Sequence, residues 1–250
     1  MVRWERELQG GELHLVGWRS STMQAALERI VALARVGARH REREVLDGWD
    51  AWIEGEALAG PESWRDGLAA RLGREGRRIR EYKLLSWQTE RMFPVVLPLA
   101  GASWFVGGRL AYQAHVARWQ PREDTLEALV ARGDSRLESL LGVLGHEVGR
   151  LHALRGRHGG LSPDRILVAP AAALQPLVWS GSGEGARGPW MPRAQDDLRE
   201  VVAALRAAGR EALLEPLWAA YEDARTANGR AVRASERRLA LEARVTRPCS

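Results

Sequence analysis

Residues able to do chemistry concentrate between His146 and Glu184. His146 and His152 stand six apart, which is not the spacing of two metal-binding imidazoles on one helical face. Glu147 and Arg150 are three apart and read as an ion pair on a helix surface. Next comes His158-Gly159-Gly160-Leu161-Ser162-Pro163-Asp164-Arg165, followed by the apolar run Ile166-Leu167-Val168. One loop histidine does not make a catalyst, so His158 reads as a packing and hydrogen-bonding residue. Asp164 reads as a turn-capping aspartate, and Arg165 as a guanidinium paired with Asp164 or another neighbour. Farther upstream, Glu81 lies two residues from Lys83, the only lysine in the chain.

These groups need elements to position them. Leu13 and Leu15 alternate with polar neighbours, as in a short strand. Met23, Ala26, Leu27, Ile30, Val31 and Ala34 follow helical spacing after Ser20-Ser21-Thr22. Residues 44–54 form a hairpin around Asp47-Gly48, and 104–116 a second one around Gly107-Gly108. Leu68 to Gln88 reads as one long Arg-rich helix, with Ile79, Tyr82 and Leu85 on its apolar face. Beyond Pro121 the pattern turns helical. Leu137, Leu140, Leu141, Leu144, Val148 and Leu151 give the strongest amphipathic stripe. Short strands are expected at 166–168 and 177–179, then a helix capped by Asp196-Asp197 and another through Leu213, Leu217 and Tyr221. A strand-rich first part followed by a helix-rich second part implies an α+β fold in two subregions, divided near Arg118-Trp119-Gln120-Pro121.

The bulk properties narrow the classes. The chain has 250 residues, 45% hydrophobic and 28% charged, enough for one domain or two small lobes with a substantial core. No apolar run reaches the roughly 18 residues of a membrane span, and no secretory leader follows Met1. Cys249 is the single cysteine, so an intrachain disulfide and a cysteine-based zinc site are both excluded. A reducing cytoplasm fits this usage. The net charge is +5, with nearly all of the cations arginine. No zinc-finger, RNA-recognition or basic-zipper signature accompanies them, so no specific nucleic acid is expected. Arg225, Arg230, Arg233, Arg237, Arg238, Arg244 and Arg247 form a basic tail over about 225–250. That tail is either a solvated end or a contact for an anionic membrane surface.

The run His158-Gly159-Gly160-Leu161 through Ile166-Leu167-Val168 resembles the catalytic loop of a kinase, which in protein kinases reads H-R-D-L-x-x-x-N. It is closer in type to the Kdo/lipopolysaccharide kinases of bacteria, whose loop starts His-Gly-Asp-Leu. Arg80-Glu81-Tyr82-Lys83-Leu84-Leu85, then Phe93-Pro94-Val95 and Leu97-Pro98-Leu99-Ala100, resembles that family's regulatory helix and the strand after it. Asp197-Leu198 resembles the start of a second-lobe helix. The likeness spans about residues 44–222. It implies a protein-kinase-like α+β fold with an N-lobe over 1–118, in which 1–43 match poorly. A helical C-lobe with the basic tail would cover 119–250. It further implies nucleotide contacts from Glu81, from the strand position at Glu54, and from a hinge at Ala117, Arg118 and Trp119.

Measured against that pattern, the chemical groups are missing. A kinase needs a carboxylate at the substrate hydroxyl, oxygen ligands for magnesium and a lysine on the phosphates. Gly160 stands at the aspartate position and Arg165 at the metal-binding asparagine. Trp179 stands at the first residue of D-F-G, and Glu54 at the strand lysine. Arginine has only donors and cannot ligate a cation. The expectation is therefore a pseudokinase, with no cofactor, that binds or regulates a protein or envelope-associated partner in the cytoplasm or at the inner membrane. The alternatives are an active kinase that uses ATP and magnesium on a lipopolysaccharide-core sugar through relocated groups such as Asp164 and Glu184, and an Arg-rich binder of nucleic acid or membrane surface.

Overall fold

A computed structural model describes residues 2–8, 11–17, 21–37, 39–58, 76–119, 124–170, 175–180, 186–187 and 193–227. The chain divides into two compact units. One comprises Met1–Glu90 with Val96–Gln120, the other Arg91–Val95 with Pro121–Ser250.

The first unit is built on a six-stranded antiparallel sheet. Its strands are β1 (Val2–Leu8), β2 (Gly11–Gly17), β3 (His40–Leu46), β4 (Trp49–Ala57), β5 (Pro98–Val106) and β6 (Arg109–Arg118). They lie in the order β1-β2-β5-β6-β4-β3. Three hairpins thus assemble side by side, with β5–β6 inserted between the other two. The two tight turns are Asp47-Gly48 and Gly107-Gly108, and all four residues have positive φ, as the sequence predicts for such dipeptides.

Alternation along the strands decides what each face meets. Leu13, Leu15, Ala51, Ile53, Ala100, Ala102, Ala114 and Val116 point to one face, where α1 (Ser21–Val36) lays down Ala26, Leu27, Ile30 and Ala34. On the other face lies α2 (Arg77–Thr89), whose Ile79 and Tyr82 pack on Val16. The region before residue 44, matched poorly by the resemblance, supplies two strands and the helix of this first layer. Of the single long helix expected over Leu68 to Gln88, the described part begins at Arg77; Leu68 and Leu72 lie outside the described residues.

The second unit is mostly helical. It holds α3 (Leu126–Arg132), α4 (Leu137–Ala153), α5 (Ala194–Ala207) and α6 (Leu214–Ala227). Between them lie short strands β7 (Asp124–Thr125), β8 (Gly156–Arg157), β9 (Ile166–Val168), β10 (Leu177–Trp179) and β11 (Ala186–Arg187). Thr125 Oγ1 caps α3 through the amide of Ala128, and Gly133 ends it in the left-handed conformation. α4 and α6 approach so closely that a Cβ on Gly145 would stand 2.2 Å from the Leu217 carbonyl oxygen. One on Gly149 would stand 2.4 Å from that of Tyr221. Glycine at this pair, four residues apart on one helical face, lets the two backbones touch.

Two expectations change. Asp197 is not a helix cap: the N-cap is Arg193, whose amide donates to Asp196, while Asp197 is buried inside the first turn. Arg225 is not part of a solvated tail. It lies buried in the last turn of α6 and donates to the Tyr221 hydroxyl. Residues 228–250, the rest of the basic stretch, lie outside the described residues.

Candidate functional site

In the second unit the loop after β8 is organised by a single carboxylate. Asp197 Oδ2 accepts from the amide of His158 at 2.7 Å, and Oδ1 from those of Gly159 at 2.5 Å and Gly160 at 3.2 Å. The Asp197 carbonyl takes the next amide, Leu161, at 3.0 Å. Four consecutive loop amides therefore end on one residue of α5.

His152 Nε2 donates to Asp197 Oδ2 at 2.9 Å, since a carboxylate can only accept. His152 Nδ1 lies 3.0 Å from the Tyr221 hydroxyl, which accepts from Arg225. Burial works to raise the Asp197 pKa. The His152 hydrogen bond, the charge of the two neighbouring histidines and the loop amides outweigh it and hold the carboxyl at about 2.

The loop is thus held by one carboxylate and one carbonyl of Asp197. Gly160 has φ +113, a conformation an L side chain rarely adopts; an aspartate there would be strained as well as new. Arg165 closes the short 3₁₀ turn Pro163–Arg165. The expected ion pair with Asp164 does not form. Asp164 is exposed and accepts from Ser162 Oγ instead, and no described residue pairs with the Arg165 guanidinium. The Arg165 carbonyl takes both the amide and the hydroxyl of Ser180.

Trp179 is fully buried at the end of β10. Its amide donates to the Pro94 carbonyl at 2.8 Å, and its ring meets His158 edge-on at 6.2 Å. His158 is fully buried. Glu147 and Arg150 form the expected pair at 3.3 Å, and Arg150 also donates to the carbonyls of Arg91 and Met92. Glu184 lies outside the described residues.

In the first unit Glu54 and Glu81 come together around a cation that sequence reasoning did not single out. Arg78 Nη1 lies 2.9 Å from Glu81 Oε2, one turn along α2. Its Nη2 lies 3.2 Å from Glu54 Oε1 and 3.8 Å from Glu56 Oε1 on β4. The side chains of Arg78 and Glu81 are 7% and 1% exposed, those of Glu54 and Glu56 30% and 29%.

Sheet register builds this cluster. Glu54 pairs across the ladder with His115, and Glu56 with Gln113, whose amide donates to Glu56 at 2.8 Å. His115 is buried, and desolvation pushes its pKa down, with Glu81 opposing and Arg78 adding to the shift. Among the described residues, Glu54, Glu56 and Glu81 surround the Arg78 guanidinium, with the buried His115 beside them. Helix and sheet are cross-linked by a cation on the helix and acids on the strand, the reverse of a strand lysine held by a helix glutamate. The spacing of Arg78 three residues before Glu81 is the signal that could have pointed to it.

Ala117 and Arg118 end β6, an interior strand of this sheet, and Trp119 follows it. Ala117 pairs with Trp52 and Pro98. The amide of Arg118 donates to the Leu97 carbonyl and that of Trp119 to Asp50, so both amides are already used inside the unit.

Gly160, Arg165 and Trp179 carry no side-chain oxygen that could ligate a metal ion.

No protein-family model matches the chain. No curated protein matches it either. Among solved structures it is similar to WaaP in complex with acyl carrier protein. That likeness has a TM-score of 0.55 and 13% identity over 92% of this chain and 97% of the other. At that identity the likeness speaks for the fold. The chain is α+β and protein-kinase-like, strand-rich in its first part and helical in its second.

Proposed function

We propose that this chain is a pseudokinase related to the Kdo/lipopolysaccharide kinases, a kinase-shaped protein that binds or regulates a partner and transfers no phosphate. One observation carries the reading. The Asp197 carboxylate gathers the amides of His158, Gly159 and Gly160 into a rigid loop, and that loop offers glycine where an acid would act. Electrostatic stabilisation of transferring phosphate is the largest single contribution to such catalysis. A glutamate cluster in place of a lysine works against it. The fold likeness to WaaP, a lipopolysaccharide core kinase, supports a kinase-like fold. That the neighbour was solved in complex with acyl carrier protein supports a protein as the partner. The place of action on this reading is the cytoplasm or the inner membrane surface.

The test is thermal unfolding of the full chain with ATP, with and without magnesium. A ligand at a hundred times its dissociation constant adds about 2.7 kcal/mol of stability, an easily read shift. No shift under either condition is expected. A magnesium-dependent shift would overturn the proposal and return the role to relocated groups such as Asp164 or Glu184.

A further inference from the structure

Positions 40, 42 and 44 of β3 alternate onto one face of the strand. They pair across the ladder with Gly55, Ile53 and Ala51 of β4, so this is the face on which α1 packs. The three side chains are His40, Glu42 and Glu44, and Arg29 of α1 lies against them. A ring nitrogen of His40 and one carboxylate oxygen from each glutamate all lie within 4.8 Å of one another. Among the described residues, no other three histidine, cysteine or carboxylate groups converge so closely.

His40 Nε2 is shielded from water and lies 2.7 Å from Glu42 Oε1. It is not aligned for a hydrogen bond there and has no other partner among the described residues. A nitrogen and an oxygen this close without a shared proton are placed as two ligands of one cation. Around zinc, with bonds of about 2.0–2.2 Å, ligand atoms stand roughly 3–3.5 Å apart, so small side-chain rotations complete the set. Arg29 leaves room for the ion. Its Nε donates to Glu44 Oε2 at 2.7 Å and its Nη2 to Glu42 Oε1 at 3.4 Å, so each carboxylate keeps its second oxygen. Ligating carboxylates are commonly held in this way by an outer hydrogen-bond donor.

A second buried group points to the same place. Tyr112 is fully buried, and its hydroxyl has no hydrogen-bond partner among the described residues. It lies over Gly55, directly across the ladder from His40: a Cβ on Gly55 would stand 2.0 Å from the hydroxyl oxygen. Burial pushes the Tyr112 pKa up to about 12, with the Arg29 charge opposing, so the hydroxyl keeps its proton and can donate.

We infer that His40, Glu42 and Glu44 form a binding site for a divalent transition-metal ion, zinc above all, with Arg29 and Tyr112 as its outer partners. One imidazole and two carboxylates suit zinc, which accepts three protein ligands and a water. Magnesium prefers oxygen alone. Glu42 is half exposed and gives the ion a path in from solvent.

The test is titration of the full chain, free of any histidine tag and stripped with chelator, with cobalt(II) followed by visible absorption and with zinc followed by thermal unfolding. Wild type should bind one ion per chain and unfold at a higher temperature with zinc. His40→Ala and Glu44→Gln should each weaken binding about a hundred-fold or more, at or beyond the upper end of what loss of an outer partner costs. His146→Ala, an exposed histidine elsewhere, should change nothing. Unfolding without metal checks that the variants fold, and His40→Gln serves if the alanine variant does not. The site is overturned if wild type binds no zinc, if zinc stabilises His40→Ala equally, if His146→Ala abolishes the cobalt spectrum, or if magnesium stabilises as well as zinc. A magnesium-dependent ATP shift would sink the pseudokinase reading and leave this site standing.

Discussion

The loop anchored on Asp197 and the ion cluster around Arg78 are built on opposite plans. The loop is held through main-chain amides, which every residue except proline provides. Its side chains can therefore vary while its shape persists. The cluster is held through side chains, with Arg78 on the helix facing Glu54 and Glu56 on the strand and Glu81 one turn on. The comparison teaches that a backbone-held loop tolerates substitution more readily than a side-chain-held cluster, where each charge depends on its partner.

Removing each anchor should separate the two plans. Asp197→Ala strands three amides and a histidine in a buried site and is expected to cost on the order of 3–5 kcal/mol. Denaturant unfolding would read that loss, and a cost under about 1 kcal/mol would break the comparison at its stronger end. Arg78→Met leaves Glu81 buried without its guanidinium. Because Glu54 and Glu56 are partly hydrated, the expected cost is lower, about 2–3 kcal/mol. Adding Glu81→Leu should recover part of it, because the stranded charge leaves with its partner. A fully additive double mutant would mean the pair is not coupled.

Gly160→Asp tests whether the loop merely lacks its acid. With φ at +113, the variant should lose about 1–3 kcal/mol and gain no magnesium-dependent stabilisation by ATP. Such a gain would show that the backbone tolerates an acid after all.

Acid should produce the smallest effect near neutrality and place it in the first unit. His115 has a lowered pKa in the folded chain, so the unfolded state binds its proton first. Stability falls as the pH drops below the ordinary histidine value of about 6.5. Asp197 is also lowered, to about 2, but as a carboxylate it contributes fully above the usual value of about 4. That contribution is lost only as pH falls toward 2. Hydrogen exchange between pH 7 and 5 should therefore loosen the β4–β6 region while the amides of 158–161 stay protected. Simultaneous loosening would break the distinction.

Local chemistry made much of this legible in advance. Asp47-Gly48 and Gly107-Gly108 announce their hairpins because few dipeptides tolerate two positive φ values. The stripe from Leu137 to Leu151 announces α4. Pairings that join distant segments were not legible. Nothing local says that β2 meets β5, or that Glu54 stands across from His115. Asp197 looked like a cap because aspartates favour helix starts. Its place four residues before Val201, on the apolar face, was the contrary sign. Arg78 was overlooked because the search was for a lysine on a strand, and charge can arrive from the other partner in a contact.

The order β1-β2-β5-β6-β4-β3 has a consequence for synthesis. The ribosome releases two finished hairpins before the strands that join them exist. Until residues 98–118 emerge, β2 and β4 each carry a bare edge, the kind that templates pairing with another chain. Translation slowing ahead of β5, or a chaperone engaging the nascent hairpins, would bear directly on yield, because domains fold as units while the chain is still being made. A chain truncated before Pro98 should accumulate as aggregate rather than as a smaller sheet.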